Sequence, residues 1–248
     1  MKLDERMKNY VNAGQHHLTS KVPVIINIKG RSFYKIFTDI IKVKKDITPE
    51  EVKKLYNNYL YILRYSTISV IKETEGFKIA HVSENEVNIL LSDIDTHNVN
   101  MQSWYNYNVA KIISMVSGKF NTTFNKSQPF EQMLEDYIFQ VKCFNIPDIE
   151  VSNYFLWRIK DTRRNSLQDY CRQIFPLEEI HGKKTKELIR MLFKRDLDWN
   201  IDVKEDMKNG VFMEQNKYGE IDTYPVTYTV TSKDIVYKDI NFIIDQLI

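Results

Sequence analysis

VPVIINIKGRSFY, residues 22–34, and IAHVSENEVNILL, residues 79–91, decide the fold of this 248-residue chain. Residues 22–28 are a near-continuous apolar run with one proline at its start, which predicts a buried central strand. Gly30 breaks the run. Residues 77–82 and 86–91 read as two further strands, paired through a tight turn at Ser83–Asn85. An apolar strand followed by a hairpin sets up an antiparallel sheet, so the rest of the chain is read for what covers it.

Thr48, Pro49 and Glu51 form a helix start: an N-cap, a proline at the first helical position and a capping-box glutamate. Val52, Leu55, Tyr56, Tyr59, Leu60 and Leu63 follow at helical spacing. A short helix is expected over Asp4 to Tyr10, a strand over 67–71, a helix over 104–117 and an alternating strand over 139–144. Asp148 is expected to cap a helix to about Arg163, with a second helix from Asn165 or Ser166 and another over 184–195. Residues 211–216 and 220–230 predict a terminal hairpin around Lys217-Tyr218-Gly219. The expected class is α+β: an antiparallel sheet with helices packed on one face, a helical segment and a C-terminal β-hairpin.

Hydrophobic residues make up 43% of the chain, enough for a core, yet no apolar stretch approaches the roughly 20 residues of a membrane helix. The charged opening MKLDERMKNY carries no signal-peptide core, and Cys143 and Cys171 lack metal-ligand spacing. These features predict a cytoplasmic protein with reduced cysteines. A formal net charge of +2 permits a local basic patch without demanding a nucleic-acid partner. The many Lys, Asn, Ile and Tyr residues fit an AT-rich, viral genome.

The two opening segments resemble the metal-binding strands of the tRNA-histidine guanylyltransferase family, a 3′-to-5′ relative of palm-domain polymerases. WYNYNVAKIISMVSGKFNTTFN (104–125) is similar to the family's W-F-x-x-x-x-x-K-I-x-S helix, and FQVKCFNIP (139–147) to its F-D-A-R-V-F-x-x-P strand. EVSNYFLWRIKDTRRNS (150–166) is similar to its N-Y-x-x-W-R-Q-x-D-x-x-R-N-S run, with Trp157, Arg158, Asp161 and Asn165 at matching spacing. The resemblance implies a palm-like nucleotide-handling core over 1–135. The remaining sheet, helical segment and hairpin over 136–248 complete one continuous compact unit. It also implies a homodimer or homotetramer, with nucleotides and tRNA as partners. Family members activate a tRNA 5′ end with ATP and then add GTP.

The chemistry departs from the family where it matters most. An aspartate of the family is Lys29 here, and its S-D-E run is Glu84, Asn85 and Glu86. Two-metal nucleotidyl transfer needs anionic oxygens around a pair of divalent cations. An ammonium and a neutral amide do not supply them, so Glu86 is the only catalytic candidate left in register and no metal or other cofactor is expected. Magnesium returns only if the chain is an active enzyme. Gln140, Lys142 and Asn108 replace a further aspartate and two arginines.

The expected phosphate-binding set is Lys29, Gly30, Arg31, Ser32, Phe33, Tyr34, Lys111, Ser114 and Asn165. Residues 30–33 form a loop whose N–H groups can cradle an anion, and Lys29 is expected to pair with Glu84, Glu86 or a phosphate. Trp157 and Asp161 read as mainly architectural. Lys42–Lys45 and Lys183-Lys184 read as solvated basic runs, and His16, His17, His81, His97 and His181 show no metal pattern. Three functions follow: a degenerate relative that binds a linear or cyclic nucleotide or RNA, in a viral sequestering role; a diverged 3′-to-5′ nucleotidyltransferase; and a ligand-free interaction protein.

Overall fold

A computed structural model describes residues 1–30, 48–94, 102–127, 136–226, 228–230 and 235–237. The expectations for Arg31, Ser32, Phe33, Tyr34, Lys42–Lys45 and His97 lie outside these residues.

Strands β1 (Val24–Lys29), β2 (Phe77–Val82), β3 (Glu86–Leu91), β4 (Gln140–Asn145), β5 (Val211–Gln215) and β6 (Ile221–Pro225) form a six-stranded antiparallel sheet in the order β4-β1-β3-β2-β5-β6. Two short strands, β7 (Tyr228–Val230) and β8 (Ile235–Tyr237), pair with each other. The apolar run of β1 sits between β3 and β4 and is buried up to Ile28. The β2–β3 hairpin closes through Ser83, whose amide donates to the Glu86 carbonyl at 2.9 Å. The β5–β6 hairpin turns at the expected Lys217–Gly219.

Helices α1 (Leu3–Ala13), α2 (Pro49–Ile71), α3 (Val109–Lys126) and α4 (Asp148–Arg172) are joined by the shorter α5 (Leu177–Ile180), α6 (Thr185–Phe193), α7 (Trp199–Asp202) and α8 (Glu205–Asn209). The α2 start is the predicted capping box: the Thr48 hydroxyl accepts from the Glu51 amide, and the Glu51 carboxylate accepts from the Thr48 amide at 2.8 Å. Residues 67–71 are the end of α2 and form no strand. The Ser66 and Thr67 hydroxyls donate to the carbonyls of Ile62 and Leu63 four residues back, and Val70 and Ile71 stay on the helix's buried stripe. Burial outweighs the β-propensity of this branched run.

Residues 104–107 form a separate 3-10 turn with Tyr105, Asn106 and Tyr107 in left-handed conformation, and α3 begins only at Val109. No new helix starts at Asn165 or Ser166. α4 runs through, because Ser166, Leu167 and Cys171 prolong its buried stripe.

The period of two along the strands sorts the core. Val24, Ile26, Ile28, Val87 and Ile89 face α2 and α3, meeting Tyr59, Leu63, Ile112, Val116 and Phe120. The expected helices on one face are these two. The alternate residues Ile25, Ile79, Leu90 and Phe212 meet Val151, Phe155 and Ile159 of α4, so α4 covers part of the opposite face. The apolar residues from Leu167 on form a third cluster with α5, α6 and Trp199.

Candidate functional site

The α4 face changes character along β1. Ile25 is apolar, but the next residues on that face are Asn27 and then Lys29, and their partners across β3 are Asn88 and Glu86. On β4 the partners are Lys142 and Gln140. The sheet therefore ends, under α4, in polar rows rather than in core.

These rows hold a hydrogen-bonded network. The Asn27 amide donates to Asn88 Oδ1 at 2.8 Å and to the Glu86 carboxylate. The Tyr154 hydroxyl donates to the same Asn88 oxygen at 2.6 Å. Arg158 grips both Glu86 oxygens through one nitrogen, at 2.9 and 3.0 Å, and holds Asp161 through the other at 2.7 Å. Arg164 adds a second cation to Asp161. The Arg158 side chain is 8% exposed and that of Glu86 12%, so this is a buried, charge-assisted pair.

Lys29 stands directly across from Glu86 in the β1–β3 register, yet the carboxylate goes to Arg158. Lys29 is exposed at the strand end. Glu84 is not its partner either. Its carboxylate accepts from the Tyr56 hydroxyl and its carbonyl from Tyr59 at 2.8 Å, tying the hairpin turn to α2. Burial pushes the Glu84 carboxyl up to about 7, against the pull of the Tyr56 hydrogen bond. The expected pairing of Lys29 with Glu84 or Glu86 is thus absent among the described residues. Lys142, on the same face one strand over, is likewise exposed and without an ion pair there.

Gly30 has a packing reason. A Cβ on it would lie 2.6 and 2.9 Å from two carbons of the Phe139 ring, which is buried against Phe120 and Phe124. Its amide donates to the Asn85 carbonyl at 3.0 Å, so this N–H closes the sheet end on the hairpin turn.

Lys111 and Ser114 are exposed on the first turns of α3. α3 covers the other face of the sheet, so these residues do not share a face with Lys29. Asn108, where the family has an arginine, is a buried N-cap whose side chain accepts from the Lys111 amide at 3.0 Å. Asn165 lies one turn beyond Asp161 on α4, half-buried. The expected set is therefore split: Lys29 and Asn165 on the α4 side, Lys111 and Ser114 on the other.

Sequence reasoning missed Asn27, Asn88 and Tyr154. The signal was there: two asparagines inside apolar strands, each two residues from a site position. It also read Trp157 as architectural. Trp157 is 57% exposed, with the Arg158 guanidinium 3.8 Å from its ring centre.

Divalent cations of the palm type need converging carboxylates. Here one candidate is held by Arg158, one by Tyr56, and the strand-end position is a cation. Among the described residues no group of three His, Cys, Asp or Glu is placed to hold a metal. Among the described residues, those at this sheet end do not fit a two-metal centre.

An antiparallel sheet with α2 and α3 across one face and polar rows at the end of its central strands is the architecture of palm-like nucleotidyltransferases. The chain has the fold of the tRNA-histidine guanylyltransferase family, the family its motifs resemble. A bacterial tRNA(His) guanylyltransferase-like protein solved with ATP matches with a TM-score of 0.72 and 25% identity, over 89% of this chain and 92% of that one. One solved with GTP matches at 0.71 and 21%, over 99% and 98%. The Saccharomyces cerevisiae tRNA(His) guanylyltransferase matches at 0.62 and 16%, over 90% and 97%. No family model matches the chain, and the search of curated proteins finds no relative. No helix among the described residues is long and apolar enough to cross a membrane.

Proposed function

We propose that the chain binds a phosphate-bearing nucleotide or RNA directly, without metal, and does not carry out guanylyl transfer. One observation carries this reading: Lys29 is exposed at the strand end with no ion pair among the described residues, while the neighbouring Glu86 is neutralised by Arg158. A phosphate fits a cation there; a magnesium ion does not. The relatives with bound ATP and GTP support a nucleotide as ligand, and their names support tRNA as a partner. Such a protein suits a cytoplasmic sequestering role, as a dimer or tetramer, in a virus that must neutralise a host nucleotide signal or tRNA.

The test is calorimetry with GTP and ATP in EDTA. Wild-type protein binds without Mg²⁺. Lys29→Ala loses one charge-assisted hydrogen bond, typically about 1.5–3 kcal/mol, or roughly 10- to 100-fold in affinity. Labelled GTP with ATP and tRNA gives the counter-test. EDTA-sensitive label on the tRNA 5′ end would make the chain a diverged 3′-to-5′ nucleotidyltransferase and end this reading.

A further inference from the structure

Tryptophan is costly to leave in water, and this chain leaves one of three there. Trp104 and Trp199 are 7% and 3% exposed; Trp157 is 57% exposed. It is not loose. One ring neighbour is the Arg158 guanidinium, fixed in turn by Glu86 and Asp161, and another is Tyr154, edge-on at 5.8 Å. The indole is thus held on a rigid cationic support with much of its surface open.

Its position on the sheet follows from its neighbours on α4. Phe155 leans to β5, against Phe212, and Tyr154 leans to β4, against Phe144. Tyr154 also reaches Asn88, in the row of Lys142 and Asn27, and Arg158 reaches Glu86, in the row of Gln140 and Lys29. Trp157 follows Tyr154 by three residues, on the same side of the helix. It therefore stands on the β4 side, level with the rows that carry Lys142 and Lys29. Those two lysines are diagonal neighbours on one sheet face, about 7–8 Å apart at the backbone. Arg158 and Arg164 are balanced by Glu86 and Asp161, whereas neither Lys29 nor Lys142 has an ion pair among the described residues.

We infer that Trp157, Lys29 and Lys142 form a binding surface for a single-stranded polynucleotide, with one base stacked on the open indole and backbone phosphates on the two lysines. The inference rests on the metal-free phosphate site proposed above and names its ligand. An open aromatic platform beside spaced cations suits an extended strand, because every base offers a π-face and every linkage a charge. A free mononucleotide makes only part of these contacts.

The experiment is a titration of the intact protein with a twelve-residue oligouridylate in EDTA, read by tryptophan emission and by anisotropy of a labelled copy. Binding quenches the exposed tryptophan and shields it from iodide; the two buried indoles supply the unchanged remainder. Trp157→Ala weakens binding about 10- to 100-fold, the usual loss for one stacked base, and abolishes the quench. Trp157→Phe keeps a ring and restores most of the affinity, which separates stacking from misfolding. Lys142→Ala lowers the salt dependence of binding by about one phosphate contact.

If the oligonucleotide and GTP both bind, both need Lys29, and Trp157→Ala changes neither, the platform is wrong and the phosphate site stands. If GTP binds and the oligonucleotide does not, the polynucleotide is wrong. If neither binds in EDTA, both ideas fall.

Discussion

Replacing Glu86 by alanine tests whether this carboxylate belongs to an ion pair or to a metal centre, because the two predict opposite signs. In the ion-pair arrangement the change strands Arg158, whose side chain is 8% exposed. Removing one partner of a buried pair costs about 3–5 kcal/mol. Asp161 still contacts the second guanidinium nitrogen at 2.7 Å, so the lower end, about 3 kcal/mol, is expected. With a urea slope of about 3 kcal/mol/M, the unfolding midpoint falls by about 1 M. The assay is urea unfolding followed by circular dichroism, in EDTA. Replacing the pair together, Glu86→Leu with Arg158→Met, recovers most of the loss, since an apolar pair of similar volume has no stranded charge. A metal-site carboxylate behaves otherwise: without its cation, its removal is neutral or stabilising. A Glu86→Ala midpoint at or above wild type, together with a wild-type midpoint raised by Mg²⁺, refutes the ion-pair argument and returns the enzyme reading.

Gly30→Ala places a methyl against the packed Phe139 ring and lowers stability by about 1–3 kcal/mol; Phe139→Leu in the same chain relieves it if packing is the cause. His81 is fully buried, its Nε2–H donating to the Asn209 carbonyl at 2.8 Å, and burial holds it down to about 4. The unfolded chain takes up that proton near 6.5 and the folded one does not, so stability falls as pH drops from about 6.5 to 4, by up to about 3 kcal/mol. His81→Gln flattens that part of the pH-stability curve, and an unchanged slope counts against it. Glu84 has the opposite sign: raised to about 7, it favours the fold below 4.5, and that contribution is lost as pH rises through 7. Glu84→Gln therefore gains about 1–2 kcal/mol at pH 8 and nothing at pH 4, as read by thermal melts at the two values.

Local chemistry that is complete within a few residues was legible in the sequence. The Thr48-Pro49-Glu51 start, the Ser83–Asn85 turn and the β5–β6 hairpin each carry their own hydrogen-bonding partners, and the chain uses them. Elements decided by burial were not legible. Residues 67–71 look like a strand until the stripe through Tyr59, Leu63 and Val70 is known to face the sheet. The left-handed run Tyr105–Tyr107 has no glycine to announce it. The site was half visible. Motif spacing located Lys29, Glu86, Arg158 and Asp161, but their separations of 57 and 72 residues in sequence hide which carboxylate meets which cation.

That choice of partners sets the chemistry. Lys29 and Glu86 are opposite charges directly across a strand pair, a contact that by itself stabilises by a few tenths of a kcal/mol. Arg158 arrives from α4 and takes the carboxylate through both oxygens while its other nitrogen holds Asp161. A planar guanidinium sharing two carboxylates in a buried place outcompetes one ammonium that water solvates well. Lys29 is then released to solvent at the end of the sheet, with Lys142 exposed on the same face. The charged side chains that this sheet end exposes on the α4 face are thus the cations Lys29 and Lys142. On the proposed reading a phosphate needs no metal to bridge it to them, and binding in EDTA that Lys29→Ala weakens is the result that reading requires.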